Sequence, residues 1–411
     1  MSTTEVNQQP VVTAGTGALP ENPDVTTDSA SPEPRRSPWR RWLGALAPAL
    51  LYLGIRELGI LVLSWLAASN GTTATEALTS WDGKWYLGIA AGGYDDVPSK
   101  LADAFAHRSA VTPLAFFPGY PYAVRWVAQL PGVGLTAAAL TVSLASGVLG
   151  AYGLARLGRT LGGSTRVGFV LVVLFAAAPM SIVLSMAYSE AMFCALAAWA
   201  LVGLVERRWW LAGVATLLAG LVRPTAMALV VAVVAAAIVA LAGKREGARP
   251  WAAVLLAPAG LLGYLTFVAV RTGDLTGWFD LQQQGWNSTF DGGAATVRFA
   301  VAALGDGRSL LEVATVGFLL IAIALAVVAG WQRLTWPLWL YGVLVLVMDI
   351  GSNGLMASKA RMLLPAFTLL IPVAIGLAKR RTPTVLAVLA GITLATAWFG
   401  AYSLTIWLYA I

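Results

Sequence analysis

Asp82 is the residue of this 411-residue chain whose setting best suits proton transfer from a sugar or lipid hydroxyl. It lies between Trp81 and Gly83, shortly after the first long apolar stretch. A carboxylate held at the depth of lipid headgroups is a candidate general base. From spacing alone, the alternative is an acid at a helix N-terminus that satisfies backbone amides, with tryptophan as an interfacial anchor.

A second carboxylate, Glu190, follows Tyr188 and Ser189 inside an otherwise apolar region. Ionisable groups at membrane depth are costly, and each is a functional candidate by default. Direct contact with a substrate and pairing with Arg223 across a helix interface would both keep Glu190 buried. The sequence leaves both roles open.

Three cations could stabilise a departing phosphate. Arg223 precedes Pro224, and Lys359 and Arg361 follow Ser358. A guanidinium matches the geometry of phosphate, and a lipid-phosphate leaving group needs positive charge where its own charge develops. The alternative for each residue is a side chain that reaches the headgroups and only anchors its helix.

Aromatic and amide side chains that suit a sugar ring occur in two segments. Residues 116–122 read Phe-Phe-Pro-Gly-Tyr-Pro-Tyr, and residues 282–287 read Gln-Gln-Gln-Gly-Trp-Asn. Sugar C–H faces stack on aromatic rings, and amides hydrogen-bond to hydroxyls. Taken alone, the first segment is more typical of an interfacial aromatic belt and the second of a polar loop.

Several classes of site are excluded. The sequence contains no phosphate-binding loop, no dinucleotide fingerprint and no Asp-x-Asp pair. His107 and Cys194 are the only residues of their types, which excludes clusters of those metal ligands. Asp95 and Asp96 can hold a hard cation, but a solvated turn is the favoured interpretation. We therefore predict no metal or other cofactor. We also predict no nucleic-acid partner, because no basic soluble face is visible.

The elements that must position these residues are transmembrane helices. Hydrophobic residues make up 58% of the chain and charged residues only 11%, against about 25% charged residues in soluble domains. We predict an all-α polytopic membrane protein with about eleven spans. They lie near residues 43–67, 133–155, 167–186, 190–205, 209–222, 225–242, 250–270, 310–330, 335–350, 361–378 and 384–408.

Charges in the loops set the predicted orientation. Arginine and lysine collect in alternate loops and acids in the others, which places the N-terminus in the cytoplasm by the positive-inside rule. Residues 1–38 are predicted to be a disordered cytoplasmic tail, followed by a membrane catalytic domain over 39–411. The two long outer loops of that domain are 68–132 and 271–309.

The first outer loop contains an amphipathic pattern. Trp81, Trp85 and Ile89 are spaced four residues apart and share one helical face. This face predicts a helix that lies in the membrane interface.

These segments, in this order, resemble the GT-C class of membrane glycosyltransferases. Within it, the chain is similar to bacterial relatives of the enzyme that adds the second mannose in glycosylphosphatidylinositol assembly. The resemblance covers residues 45–378. It rests on the blocks Trp81-Asp82-Gly83, Ile89-Ala90, Gly93-Tyr94, 115–121, 188–193, Arg223-Pro224-Thr225, 284–287 and 358–361.

The resemblance implies a GT-C-like fold, with helices in the extracytoplasmic loops, and an activity. The donor would be a polyprenyl-phosphate mannose, and the acceptor a hydroxyl on a glycolipid, glycan or protein. Transfer would invert the anomeric centre at the outer face of the cell membrane. Asp82 matches the catalytic acid that the class carries in its first outer loop. The implied binding residues are Trp81, Lys84, Tyr94, Phe117, Tyr120, Tyr188, Glu190, Arg223, Gln284, Trp286, Lys359 and Arg361.

Two other functions stay open at this point. A transporter or flippase of a lipid-linked sugar would also use intramembrane charges and aromatic residues. It would place its charges at the bilayer midplane, whereas most of the charges here fall near the predicted outer boundary. A non-catalytic scaffold of the cell envelope is the third interpretation, and the clustering of costly polar residues on one side argues against it.

Overall fold

The computed structural model describes residues 38–244, 246–307, 309–407 and 409–411, with side chains from Leu43 onward. Apart from Pro38, the predicted tail therefore lies outside the described residues. Contacts divide the chain into a unit of residues Met1–Gly44, which holds the start of the first helix, and a unit of residues Ala45–Ile411. Everything below concerns the second unit.

The described residues form helices and no strand; the sole β-pairing is one antiparallel bridge between Phe290 and Ser352. Short 3-10 helices cover Thr112–Ala115, Ser181–Ser185, Met356–Ser358 and Leu364–Leu370. The α-helices are α1 Pro38–Ser69, α2 Ala74–Leu78, α3 Asp82–Gly92, α4 Gly119–Val127, α5 Leu135–Gly162, α6 Thr165–Ala176, α7 Glu190–Val205, α8 Trp209–Gly220, α9 Ala226–Ala242, α10 Trp251–Thr272, α11 Gly277–Trp286, α12 Ala294–Asp306, α13 Leu310–Trp331, α14 Trp336–Gly351, α15 Lys359–Met362, α16 Ile371–Ala378 and α17 Thr382–Thr405.

The prediction of an all-α polytopic membrane protein is confirmed, but the number of eleven spans is not. Among the described residues, five helices are long and apolar enough to cross a membrane, or six if one bent pair counts as a span. Five further apolar helices have 10–17 residues, whereas a full span needs about 20. The five long ones are Leu43–Ser69, Leu135–Gly162, Trp251–Thr272, Leu310–Trp331 and Thr382–Thr405.

Two of the predicted spans are interrupted. The helix expected over 167–186 ends at Ala176, and the chain continues through a 3-10 helix to Glu190. The one expected over 361–378 belongs to a helix pair, Met356–Met362 and Leu364–Ala378, bent by 50°. Proline at position 365 supplies no amide donor, which favours the break. Irregular backbone at membrane depth is tolerated where protein or a cavity surrounds it.

Small residues let neighbouring helices approach closely. A Cβ atom added to Gly260 of α10 would lie 1.9 Å from the Leu217 carbonyl oxygen of α8, and one on Gly168 of α6 would lie 2.3 Å from the Ala155 carbonyl oxygen of α5. Such contacts replace the hydrophobic driving force that lipid cannot supply between helices. They make a rigid frame for the segments that carry the polar residues.

Two of the three residues on the apolar face of α3 pack against the protein, whereas Trp81 at its start is exposed. Trp85 and Ile89 are buried inside the protein. Trp85 stacks on Phe116, with ring centroids 5.3 Å apart, and meets Trp286 edge-on. The helical period gives the apolar face correctly, but it does not distinguish lipid from protein as its neighbour.

Candidate active site

A cavity of about 900 Å³ lies where the two long loops meet residues 352–362, at the start of one interrupted span, and residues 222–224 between α8 and α9. Its volume is in the range of sites for small molecules and cofactors. One wall is aromatic, one part carries cations, and one part carries amides and hydroxyls. The lining includes Trp81, Asp82, Lys84, Trp85, Tyr86, Lys100, Phe116, Phe117, Arg223, Trp278, Gln282, Trp286, Ser288, Ser352, Asn353, Lys359, Arg361, Met362 and Tyr409.

A tight turn presents Asp82 to this cavity. The Ser80 carbonyl accepts a hydrogen bond of 3.0 Å from the Gly83 amide, and Trp81 has φ 52° and ψ −119°. These angles match the first central position of a type II′ turn, which favours glycine. A tryptophan there stores strain of about 1–3 kcal/mol, as is common at functional sites. The turn makes Asp82 the first residue of α3.

Asp82 is held by two partners from distant parts of the chain. Arg361 Nη2 donates to Asp82 Oδ2 at 2.8 Å, and the side chains are 8% and 26% exposed, respectively. The Tyr188 hydroxyl accepts a hydrogen bond of 3.2 Å from the Asp82 amide. The Arg361 guanidinium lies 5.1 Å from the centroid of the Tyr188 ring. The carboxylate therefore has a defined position at the cavity wall.

Behind Arg361, the first residue of α7 connects a second arginine to the same network. Glu190 is 1% exposed, and its Oε1 lies 2.6 Å from Arg223 Nη1 and 3.7 Å from Arg361 Nη1. Arg223 also donates to Ser189 Oγ at 3.2 Å, and Ser189 shares a hydrogen bond of 2.8 Å with Tyr86. Charges of alternating sign thus run from Asp82 to Arg223.

The three cations differ in whether their donor groups already have hydrogen-bond partners. Nε of Arg223 and Nε of Arg361 are buried without a hydrogen-bond partner among the described residues. The buried Lys359 is already committed, because its Nζ donates to the backbone oxygens of Asp349 and Ser352. Because both arginines also line the cavity, they are the candidates for holding an anion there.

Of the predicted site residues, eight line the cavity and two lie directly behind its arginines. Those on the wall are Trp81, Asp82, Lys84, Phe117, Arg223, Trp286, Lys359 and Arg361. Tyr188 and Glu190 contact Arg361 from the protein interior.

The other three predicted residues lie away from the cavity lining. Tyr94 donates to the Phe116 carbonyl at 2.8 Å and Tyr120 to the Ala139 carbonyl at 2.9 Å. Burial raises the pKa of both phenols above the ordinary value. Gln284 is exposed on α11. Both tyrosines support the wall through the backbone rather than facing a ligand.

Lining residues outside the predicted set include the polar side chains of Gln282, Ser352 and Asn353. Gln282 lines the cavity and donates to the Ala115 carbonyl at 3.1 Å. It is one helical turn before Trp286, so the spacing of four residues could have identified it in place of Gln284. Ser352 and Asn353 follow an apolar helix as ordinary polar residues, and nothing in the sequence marks them.

The described residues contain no group of three or more His, Cys, Asp or Glu side chains that could hold a metal ion. Asp95, one of the two acids considered for a cation, pairs instead with Arg271.

No family model and no curated protein matches the sequence. Solved structures that resemble the chain include ArnT from Cupriavidus metallidurans bound to undecaprenyl phosphate. It is 14% identical with a TM-score of 0.49, and the match covers 88% of this chain and 76% of that one. The apo state of the same protein is 15% identical with a TM-score of 0.45, over 79% and 70% of the two chains. The apo oligosaccharyltransferase of Archaeoglobus fulgidus is 12% identical with a TM-score of 0.48, over 87% of this chain and 56% of the archaeal one.

Proposed function

We propose that this protein is an inverting membrane glycosyltransferase that moves mannose from polyprenyl-phosphate mannose to a hydroxyl of a glycolipid, glycan or protein. The observation that carries the proposal is the pair of Asp82 and Arg361, 2.8 Å apart on the wall of a cavity of about 900 Å³. A base and an anion-stabilising cation are the two groups that such a transfer needs.

The step balances with these groups alone. Asp82 accepts the proton of the acceptor hydroxyl, and the oxygen forms a bond to C1 of the sugar from the face opposite the phosphate. The bond between C1 and the phosphate oxygen breaks, and the electron pair leaves with polyprenyl phosphate. The leaving group is stable as an anion, so no general acid is required. A β-linked donor gives an α-mannoside.

In this proposal, the arginines stabilise the negative charge that develops on the leaving phosphate. Arg361 and Arg223 line the cavity, and each has a buried Nε without a hydrogen-bond partner among the described residues. A phosphate that binds the guanidinium groups of these arginines gains charge-assisted hydrogen bonds, which strengthen as the C1–oxygen bond breaks.

The sugar has an aromatic and an amide partner surface. Trp85, Phe116 and Trp286 pack against one another at one wall, with Gln282 and Asn353 also on the lining. Aromatic rings stack on sugar C–H groups, and amides hydrogen-bond to sugar hydroxyls. Mannose as the donor sugar rests on the resemblance of the sequence blocks.

The site faces the outside of the cell membrane in this proposal. The distribution of arginine and lysine in the loops supports a cytoplasmic N-terminus, which puts the loop containing Asp82 on the extracytoplasmic side.

Replacement of Asp82 by Asn tests the proposal. Detergent-solubilised protein is incubated with radiolabelled polyprenyl-phosphate mannose and membrane acceptors, and covalent label on the acceptor is measured. D82N should lose at least about 100-fold in rate while inserting and unfolding like the parent. The matched control is Asp95→Asn, because Asp95 also pairs with an arginine but is exposed and away from the cavity lining.

Near-normal transfer by D82N would contradict the role of Asp82. Movement of labelled donor across vesicles without any new glycosidic bond would instead support a transporter.

A further inference from the structure

Glu190 is enclosed by the groups that it contacts. Its side chain is 1% exposed, and Arg223 and Arg361 both approach its Oε1, at 2.6 Å and 3.7 Å. Both arginines line the cavity, whereas Glu190 is not among the described residues that do. A substrate in the cavity would meet the arginines and not this carboxylate.

The carboxylate keeps two like charges side by side. Two guanidinium groups that both reach the same oxygen atom would repel each other strongly in a partly dry site. Glu190 offsets this repulsion, and with Asp82 it makes the sum of the four charges zero. Removing it would leave a buried cation without its partner, which is far more costly than the loss of a surface charge.

Arg361 is consequently held in one orientation. Its Nη2 donates to Asp82, its Nη1 faces Glu190, and its guanidinium lies over the Tyr188 ring. Nε and Nη1 are buried without a hydrogen-bond partner among the described residues, and the residue lines the cavity. A planar guanidinium carries its donors at fixed angles, so an orientation set by these contacts also sets which edge of Arg361 faces the cavity.

We propose that Glu190 is a positioning residue, which fixes Arg361 so that one guanidinium bridges the base Asp82 and the phosphate of the donor. This inference rests on the proposed function. Arg361 then sets the separation of base and leaving group. In inverting glycosidases the two acting carboxyl groups lie about 6.5–9.5 Å apart, and two oxyanions bound at different edges of one guanidinium have a separation of that order.

The variant Glu190→Gln keeps the size of the side chain and removes its charge. We expect kcat to fall about 10- to 100-fold, the range seen when the partner that orients a metal-ligating side chain is removed. The KM for the donor should stay the same or fall, because the site gains net positive charge. Direct binding of the donor by Glu190 would instead raise KM and leave kcat unchanged, and this result would overturn the proposal.

A double variant covers the case in which E190Q does not fold. In Glu190→Gln with Arg223→Gln, no unpaired buried cation remains, and Arg361 is no longer repelled by its neighbour. We expect its kcat to exceed the product of the two single effects, because the residues are coupled. Where E190Q yields no folded protein, the cycle is run with Glu190→Asp, alone and combined with Arg223→Gln. Strictly multiplicative losses would contradict the positioning role.

Arg361→Lys separates charge from geometry. Lysine keeps the positive charge but has no planar fork that can hold two oxyanions. We expect a loss of kcat at least as large as that of E190Q, and retention of kcat by R361K would overturn the bridge.

One further variant serves as a control, and a comparison of D82N with E190Q separates failure of the inference from failure of the proposed function. Glu206→Gln, at the opposite end of α7, removes a carboxylate that also meets two arginines, and it should leave kcat and KM unchanged. If D82N abolishes transfer while E190Q keeps the parent kcat, the positioning role fails and the proposed function stands. If D82N keeps full activity, the proposed function itself fails.

Discussion

The two ends of α7 carry the same set of charges in two different arrangements. Glu190 begins the helix and meets Arg223 and Arg361, at 2.6 Å and 3.7 Å. Glu206 caps its end and meets Arg156 and Arg208, at 2.5 Å and 3.3 Å. The Glu190 side chain is 1% exposed and that of Glu206 is 18% exposed.

The difference lies in which arginine donors are used. At Glu206, Nε of both arginines contacts the carboxylate, and Arg156 binds it with Nε and Nη2 together. At Glu190, neither Nε has a hydrogen-bond partner among the described residues. The first arrangement directs the Nε of both cations to a carboxylate at a helix end, where a negative charge is unfavourable to the helix dipole. In the second arrangement, both arginines line the cavity.

The largest effect should follow from removing one arginine at each end. Arg361→Gln takes away the partner of Asp82 and a donor for the phosphate, and we expect its transfer rate to fall about 10²–10³-fold. Arg156→Gln removes a cation of the same type from the other end and should leave the rate unchanged. The labelled-donor assay measures both. Equal losses in the two variants would show that the ends of α7 do not differ in function.

A smaller effect is expected at Tyr188, which lies behind the pair of Asp82 and Arg361. Tyr188→Phe keeps the ring under Arg361 and removes the acceptor of the Asp82 amide. Loss of one such hydrogen bond is worth about 1 kcal/mol, or roughly fivefold in kcat. The control is Tyr341→Phe, because the buried Tyr341 hydroxyl has no hydrogen-bond partner among the described residues. A Y188F enzyme with parental kcat would argue against this contact.

The smallest effect should appear in stability at the far end of the helix. The hydrogen bond from Arg156 lowers the pKa of Glu206 below its ordinary value. The ionised Glu206 therefore contributes its full share to the stability of the folded protein above the unfolded-state pKa of about 4.3. This contribution is lost as the pH falls through the folded-state pKa. At pH 7, Glu206→Gln should cost about 1 kcal/mol, seen as a lower unfolding temperature in detergent. The difference in unfolding temperature between the variant and the parent should disappear on acidification below about pH 4. A difference that grows on acidification would contradict the lowered pKa of Glu206.

Local chemistry made part of the site predictable. Asp82 is a candidate from its tryptophan neighbour and its place after an apolar stretch, and the resemblance of the sequence blocks is what favours it as the catalytic acid; the arginines are candidates from their charge beside apolar runs. The structure places these residues on one cavity, where their roles remain a proposal. Gln284 shows the limit, since one polar run contains three glutamines and only the register of α11 turns Gln282 toward the cavity.

The spans show the same limit at the level of helices. Hydropathy located the apolar segments correctly, because it depends only on composition along the chain. It did not locate the break after Ala176 or the 50° bend after Met362, because these depend on the neighbours that satisfy the exposed backbone. The burial of Trp85 and Ile89 was missed for a related reason: a helical face does not specify its partner.

By itself, the sequence determined the membrane class, the helical content and the residues able to carry charge, since all three follow from composition and short-range periodicity. Only the tertiary structure decided that Arg361 meets Asp82, 279 positions away along the chain, and that Glu190 is enclosed between two arginines. Contacts over such separations arise from the packing of whole helices, and close packing through small residues such as Gly168 and Gly260 determines which side chains can reach each other.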